Sequence, residues 1–184
     1  MTVKQNNEPK AILLDADVII HFSFGDSLLS IKNIFPKYEK WVIDIVENEI
    51  NKRHSSAYTQ LNLMFNMDIF KRVEFPSVGT PTYMEYVSMR KSNPRIGNGE
   101  AACMAFARYN NQVLASSNFK DIITYCETYG ILYVSTMDFL KEAMEKGIFT
   151  EEKCDNFIAA VVKKGGILPC RYMFEYNSQR HLTI

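Results

Sequence analysis

Residues 11–22, AILLDADVIIHF, form a near-continuous apolar run close to the N-terminus. The β-branched cluster and the lack of helical gaps predict a strand. An apolar character without alternation predicts a central parallel strand covered on both faces. The same theme returns along the chain. A short strand is expected near residues 41–43, followed by a helix in which Val46, Glu49 and Ile50 share a neighbourhood. Residues 57–70 read as a Met/Phe-rich helix, and RVEFPSV (72–78) as a weak strand stopped by Pro76. Thr80 and Pro81 are a helix start signal, and SNPRIGNG (92–99) is a loop. An alanine-rich helix is expected from Glu100. Then follow a strand (QVLASS, 112–117), a helix from Asn118 to Gly130, a strand (ILYVS, 131–135) and two glycine-terminated helices. Strands alternating with helices predict an α/β domain with a mostly parallel sheet.

The chain has 184 residues, which fits one domain over 1–184 with a sizeable core. Residues 1–9 read as a loose polar tail without a signal-peptide core, and 165–184 as an aromatic, basic C-terminal extension. No apolar run is long enough to span a bilayer. Cys103, Cys126, Cys154 and Cys170 have no metal-ligand or CxxC spacing, so reduced thiols in the cytoplasm are expected. The three histidines form no spaced cluster, which argues against zinc. The formal net charge is zero, so any polyanion-binding surface has to be local.

The acids are the unusual feature. Asp15 and Asp17 interrupt the apolar run and lie on one side of it if the chain stays extended. Glu49 follows the second strand, Glu100 opens the alanine-rich helix, and Asn118 and Asp121 follow the VLASS strand. In a parallel α/β sheet all of these can converge at the carboxyl edge. Carboxylates without histidine or cysteine partners make an oxygen-only site, which suits Mg2+ or Mn2+. Arg90, Lys91 and Arg95 precede the Glu100 loop, where a basic loop can grip phosphates; a solvated loop is the plain alternative.

LLDADVII, VENEI, GNGEAACMAFA and VLASSNFKDI, in this order, resemble the PIN domain family over roughly residues 10–165. That family is three-layered α/β/α with a central parallel sheet. It includes the VapC toxins of toxin–antitoxin pairs and other metal-dependent ribonucleases. The resemblance implies that Asp15, Glu49 and Glu100 hold Mg2+ or Mn2+, with Asp17 orienting the water shell. The family's fourth acid falls where this chain reads SSN, so Asn118 stands in for an aspartate and Asp121 lies one helical turn further. What it implies for function is a cytoplasmic, metal-dependent endoribonuclease, toxin-like, acting on RNA. An antitoxin partner and a homodimer follow from the same resemblance. Two other readings stand beside it: a degenerate PIN module that binds RNA or protein without cutting, and a regulatory subunit acting through its C-terminal arm.

Overall fold

The computed structural model describes residues 10–177. Its centre is a five-stranded sheet of β1 (Ala11–Leu14), β2 (Glu39–Ile43), β3 (Lys71–Val73), β4 (Val113–Ala115) and β5 (Tyr133–Val134). The strand order is β3-β2-β1-β4-β5, and all neighbours are parallel. Every residue of β1 is fully buried. Successive strand residues face opposite sides, so both faces of the sheet must be covered, and the helices α1–α8 do this.

One layer is built on α5 (Asn98–Asn110), which packs on β1, β2 and β4. It is flanked by α2 (Asp44–Arg53), α4 (Pro81–Ser92) and α6 (Phe119–Tyr129). Gly99 and the run Ala101–Ala107 are all buried, so the small side chains let this helix lie close to the strands. The other layer joins α1 (Ala16–Phe24), α3 (Ser55–Asn66), α7 (Thr136–Glu145) and α8 (Glu151–Lys163). Phe22 of α1 meets Phe139 of α7 and Phe157 of α8 edge to face, with ring centroids 5.7 and 4.9 Å apart.

Helix boundaries follow their local chemistry. Thr80 accepts from the Tyr83 amide, with Pro81 at the first helical position. Thr150 accepts from the Lys153 amide, and Gly130 ends α6 at φ 65°. Ser135 and Asp138 form a reciprocal capping box on α7.

The first run departs from expectation. It is a strand only as far as Leu14; residues 16–24 are helical. Asp15 turns the chain, because its carboxylate accepts from the Ala16 amide at 2.8 Å. On one side β4 ends at Ala115, opposite Leu14. The β-branched residues Val18 and Ile19 bury themselves in the helix with Phe22, and tertiary packing overrides their strand preference. Asp15 and Asp17 therefore do not share the side of an extended strand. Asp15 is the cap, and Asp17 lies in the first turn of α1.

Past the left-handed Gly165 at φ 88°, the C-terminal extension returns to the body. Met173 is buried and its amide donates to Asp155, while the Tyr176 hydroxyl donates to Asp138 at 2.6 Å. The tail at 1–9 and the end of the extension, 178–184, lie outside the described residues. Among the described residues no helix is long and apolar enough to cross a membrane. Cys103, Cys126 and Cys154 are buried, Cys170 is partly so, and all are free thiols.

Candidate functional site

The strand order reverses direction at β1. From there the chain builds outward to β2 and β3 on one side and to β4 and β5 on the other. The crevice at the carboxyl ends of β1 and β4 is the switch point, where parallel α/β sheets gather their functional groups. Asp15 follows β1 directly and extends the ladder, its amide donating to the Ala115 carbonyl at 2.9 Å. Asp17 reaches across to the segment after β4, accepting from the Ser117 amide at 2.7 Å.

Glu49 comes in from α2. Its Oε2 accepts from the Gly99 amide at 3.2 Å, and its Oε1 faces the Arg53 guanidinium at 3.3 Å. Glu100, in the first turn of α5, is buried. Asn118 lies at the start of α6 without capping it, and its Nδ2 donates to Glu100 at 3.4 Å. Asp15, Asp17, Glu49, Glu100 and Asn118 thus line one open cavity of about 300 Å3. Asp121 is in α6, but its side chain is outside the described set.

Gly99 explains how the acids come so close to α5. A Cβ there would lie 3.0 Å from Glu49 Oε2, 3.1 Å from Val46 Cγ2 and 3.4 Å from Asp15 Oδ1. A side chain at this position would occupy the space the carboxylates share.

The electrostatics are those of acids gathered around Asp15, with Arg53 paired to Glu49. Burial, then Asp17 and Glu100, pushes the Asp15 carboxyl well above the ordinary aspartate value; the Ala16 amide opposes and Glu49 adds to the rise. Burial raises Asp17 to about 6, against the pull of the Ser117 and Val18 amides. The Cys103 thiol, one turn along α5 from Glu100, is pushed up by burial and then by all four acids. These four carboxylates therefore act on one small volume.

The donor chemistry fits a hard divalent cation. As the side chains stand, however, no three His, Cys, Asp or Glu among the described residues are drawn together closely enough to hold an ion. Closing such a site requires rotation of the longer side chains, Glu49 and Glu100.

The basic residues divide. Arg95 is exposed and lines the acid cavity as well as an adjoining cavity of about 570 Å3. Lys52, Arg53 and Arg90 line the latter, and Arg53 lines the acid cavity as well. Arg90 is turned into its own loop, donating to the Ile96 carbonyl and, at 3.4 Å, to that of Pro94. Its observed contacts hold the 93–97 loop in place. Lys91 is exposed and lines neither cavity. Glu47, two residues before Glu49, is engaged elsewhere, in a bidentate pair with Arg72.

Some neighbours of the acids were not legible in the sequence. His54, at the corner between α2 and α3, lines the acid cavity. Behind Asp17 runs a buried polar chain. The Ser117 hydroxyl donates to Thr136 Oγ1 at 2.9 Å, and that hydroxyl meets His21 Nδ1 at 3.0 Å. Burial holds the His21 imidazole neutral, with its pKa lowered to about 4. The serine pair at 116–117 was noticeable only as the place where an acid was expected. Its hydrogen-bonding role depends on α7, far away in sequence.

No known protein-family model matches the chain, and no curated protein matches it. Among solved structures, the chain is similar to the crystal structure of VapBC2 from Rickettsia felis bound to a DNA fragment from their promoter. The identity is 14%, the match covers 68% of this chain and 98% of that one, and the TM-score is 0.48.

Proposed function

We propose that this chain is a PIN-type, divalent-metal-dependent endoribonuclease of the cytoplasm, serving as the toxin-like member of a toxin–antitoxin pair. One observation carries the reading: Asp15, Asp17, Glu49 and Glu100 converge at the switch point of an all-parallel sheet, with Asp15 held above ordinary acidity by burial and by its acidic neighbours, and Asp17 by burial. Structural acids are usually paired with cations or solvated, whereas these share one cavity in which burial, then Asp17, Glu100 and Glu49, push the Asp15 carboxyl up. Glu49 is paired with Arg53 at 3.3 Å, and that arginine is itself largely solvent-exposed.

Mg2+ or Mn2+ at this cluster would supply activation of water and offset charge on the phosphate. The chain's own residues do the rest. Asp15, capping α1 directly after β1, is the fixed donor, and Glu49 and Glu100 would rotate toward it from α2 and α5, Glu49 guided by the Gly99 amide. Asp17, held by the Ser117 amide, orients solvent at the rim. Asn118 supplies a carbonyl oxygen in place of the family's fourth acid. That substitution removes one negative charge and favours a single ion over a pair. Arg95, Lys52 and Arg53 attract the phosphates of an RNA strand into the cavity beside the acids. An antitoxin and a second copy of this chain remain its proposed protein partners.

Incubating the protein with structured RNA tests this reading. Cleavage should require Mn2+ or Mg2+ and stop when EDTA is added. Cleavage that continues undiminished in EDTA would overturn metal dependence. A second reading, a PIN module that binds RNA or a protein partner without cutting, is favoured by Asn118 and by the open spacing of the carboxylates. RNA binding without cleavage in either metal would select it.

A further inference from the structure

A second cavity, of about 530 Å3, opens directly off the acid centre. Asp17, Ile20, His54 and Asn118 line both, so the two spaces are continuous. Its character differs from that of the acid centre. Phe24 at the end of α1 and His54 stand edge to face, with ring centroids 6.2 Å apart. Phe24 is only half-buried. No side-chain hydrogen bond engages the His54 ring among the described residues. Lys164, at the end of α8, places its ammonium 5.5 Å from the centre of the Phe24 ring and donates to the Phe24 carbonyl at 2.9 Å. Two of its three N–H donors are left for a ligand.

The far wall is the turn at Gly165 and Gly166, with the exposed Ile167 beyond it. This wall is held tightly in place. A Cβ at Gly166 would lie 2.5 Å from Val161 Cγ1 and 3.1 Å from the His21 ring, so only a glycine lets the backbone approach this closely. The C-terminal turn therefore shapes a cavity whose floor is aromatic and whose rim carries a cation and an imidazole.

We propose that this cavity is a nucleobase subsite. It takes one unpaired base of the RNA strand whose phosphate lies over the acid centre. The base sits against the Phe24 and His54 rings, with its polar edge toward the Lys164 ammonium. The proposal rests on the ribonuclease reading above and adds the place where that substrate is held. A base already paired and stacked in a duplex cannot enter such a site, whereas a single-stranded base presents a free π-face. The volume falls in the range of small-molecule sites. The cations near Arg95 grip the strand on the other side of the acids. Together the three cavities make a path running from phosphate grip, through acids, to base.

Binding of fluorescein-labelled RNA octamers by the otherwise wild-type protein, with Ca2+ in place of Mg2+ so that the acid centre keeps a cation while cleavage is slowed, tests this. One octamer carries all its bases; the others each lack one base at a single position. One position should matter most, its abasic octamer binding about 5- to 100-fold more weakly, the range for losing one base–aromatic stack. Adding His54→Ala or Lys164→Gln, both outside the core, should weaken the intact octamer and make binding insensitive to the base at that position. Phe24→Leu should do the same. Uniform binding of all the abasic octamers, or equal losses by the variants on intact and abasic octamers, would overturn the subsite while leaving the ribonuclease reading standing. Failure of the protein to bind any octamer would instead overturn that reading, and the subsite with it.

Discussion

Asp15→Asn is expected to lower RNA cleavage by about a thousandfold or more, without loss of folded structure. The size follows from what is removed. A carboxylate that anchors a cation worth several kcal/mol at the transition state becomes a neutral amide. The fold is expected to survive because asparagine has nearly the same volume. Its side-chain oxygen can still accept from the Ala16 amide, as Asp15 now does at 2.8 Å. Stability should in fact hold or rise, because a buried carboxyl raised by Asp17 and Glu100 is replaced by a group with no charge to bury. Lost activity with an unchanged or higher Tm marks a residue retained for function at the expense of stability. Cleavage assays and thermal unfolding on the same preparation check this. Persisting cleavage would remove Asp15 from the chemistry, and lost cleavage with a collapsed Tm would mean that the substitution had broken α1's cap.

The second large effect is a pH dependence with an unusual sign. Asp17 is raised by burial from an ordinary 3.8 to about 6. The folded state then holds its proton more tightly than the unfolded state does. Stability is consequently highest below 3.8 and is lost as the pH rises through about 6. A carboxyl moved that far costs the ionised, folded protein about 3 kcal/mol. Asp17→Asn removes this cost while keeping an oxygen for the Ser117 amide. In EDTA at pH 7.5 the variant should melt about 6–12 °C above the wild type. By pH 4.5 most of that advantage should be gone. His21 works in the opposite direction, because burial lowers it to about 4 and its contribution is lost as the pH falls from 6.5 through 4. It is present in both proteins and largely cancels in the difference. Melting curves at the two pH values check this, and an advantage that does not change with pH would show that Asp17 carries no buried charge.

Much of the architecture was readable because it is locally encoded. Thr80 and Pro81 start α4, Gly130 ends α6, and the alternating pattern predicts the parallel sheet. The segment from Asp15 to Phe24 was not, because its residues prefer strands taken one by one. Only the end of β4 at Ala115 and the packing of Phe22 on Phe139 and Phe157 make it a helix. Convergence of the acids followed from their positions after strands, a topological rule. Their spacing depends on Gly99 lying between Glu49 and Asp15, a contact across 50 residues that no local pattern carries. Arg90 illustrates the same limit. Both it and Arg95 line the cavity beside the acids, yet the Arg90 guanidinium donates to the Ile96 carbonyl, while Arg95 lines the acid cavity too. His54 and Lys164 carry no motif at all and become neighbours of Phe24 only through the fold.

Asp15, Glu49 and Glu100 are expected to hold a divalent ion between them. Titration of Mn2+ into the protein, followed by the loss of the free-ion electron paramagnetic resonance signal, tests it most directly. Wild type should take up a single ion, Mg2+ should compete for it, and Asp15→Asn and Glu100→Gln should lose it while remaining folded. A wild-type protein that leaves the Mn2+ signal unchanged, or variants that bind as well as wild type, would contradict it.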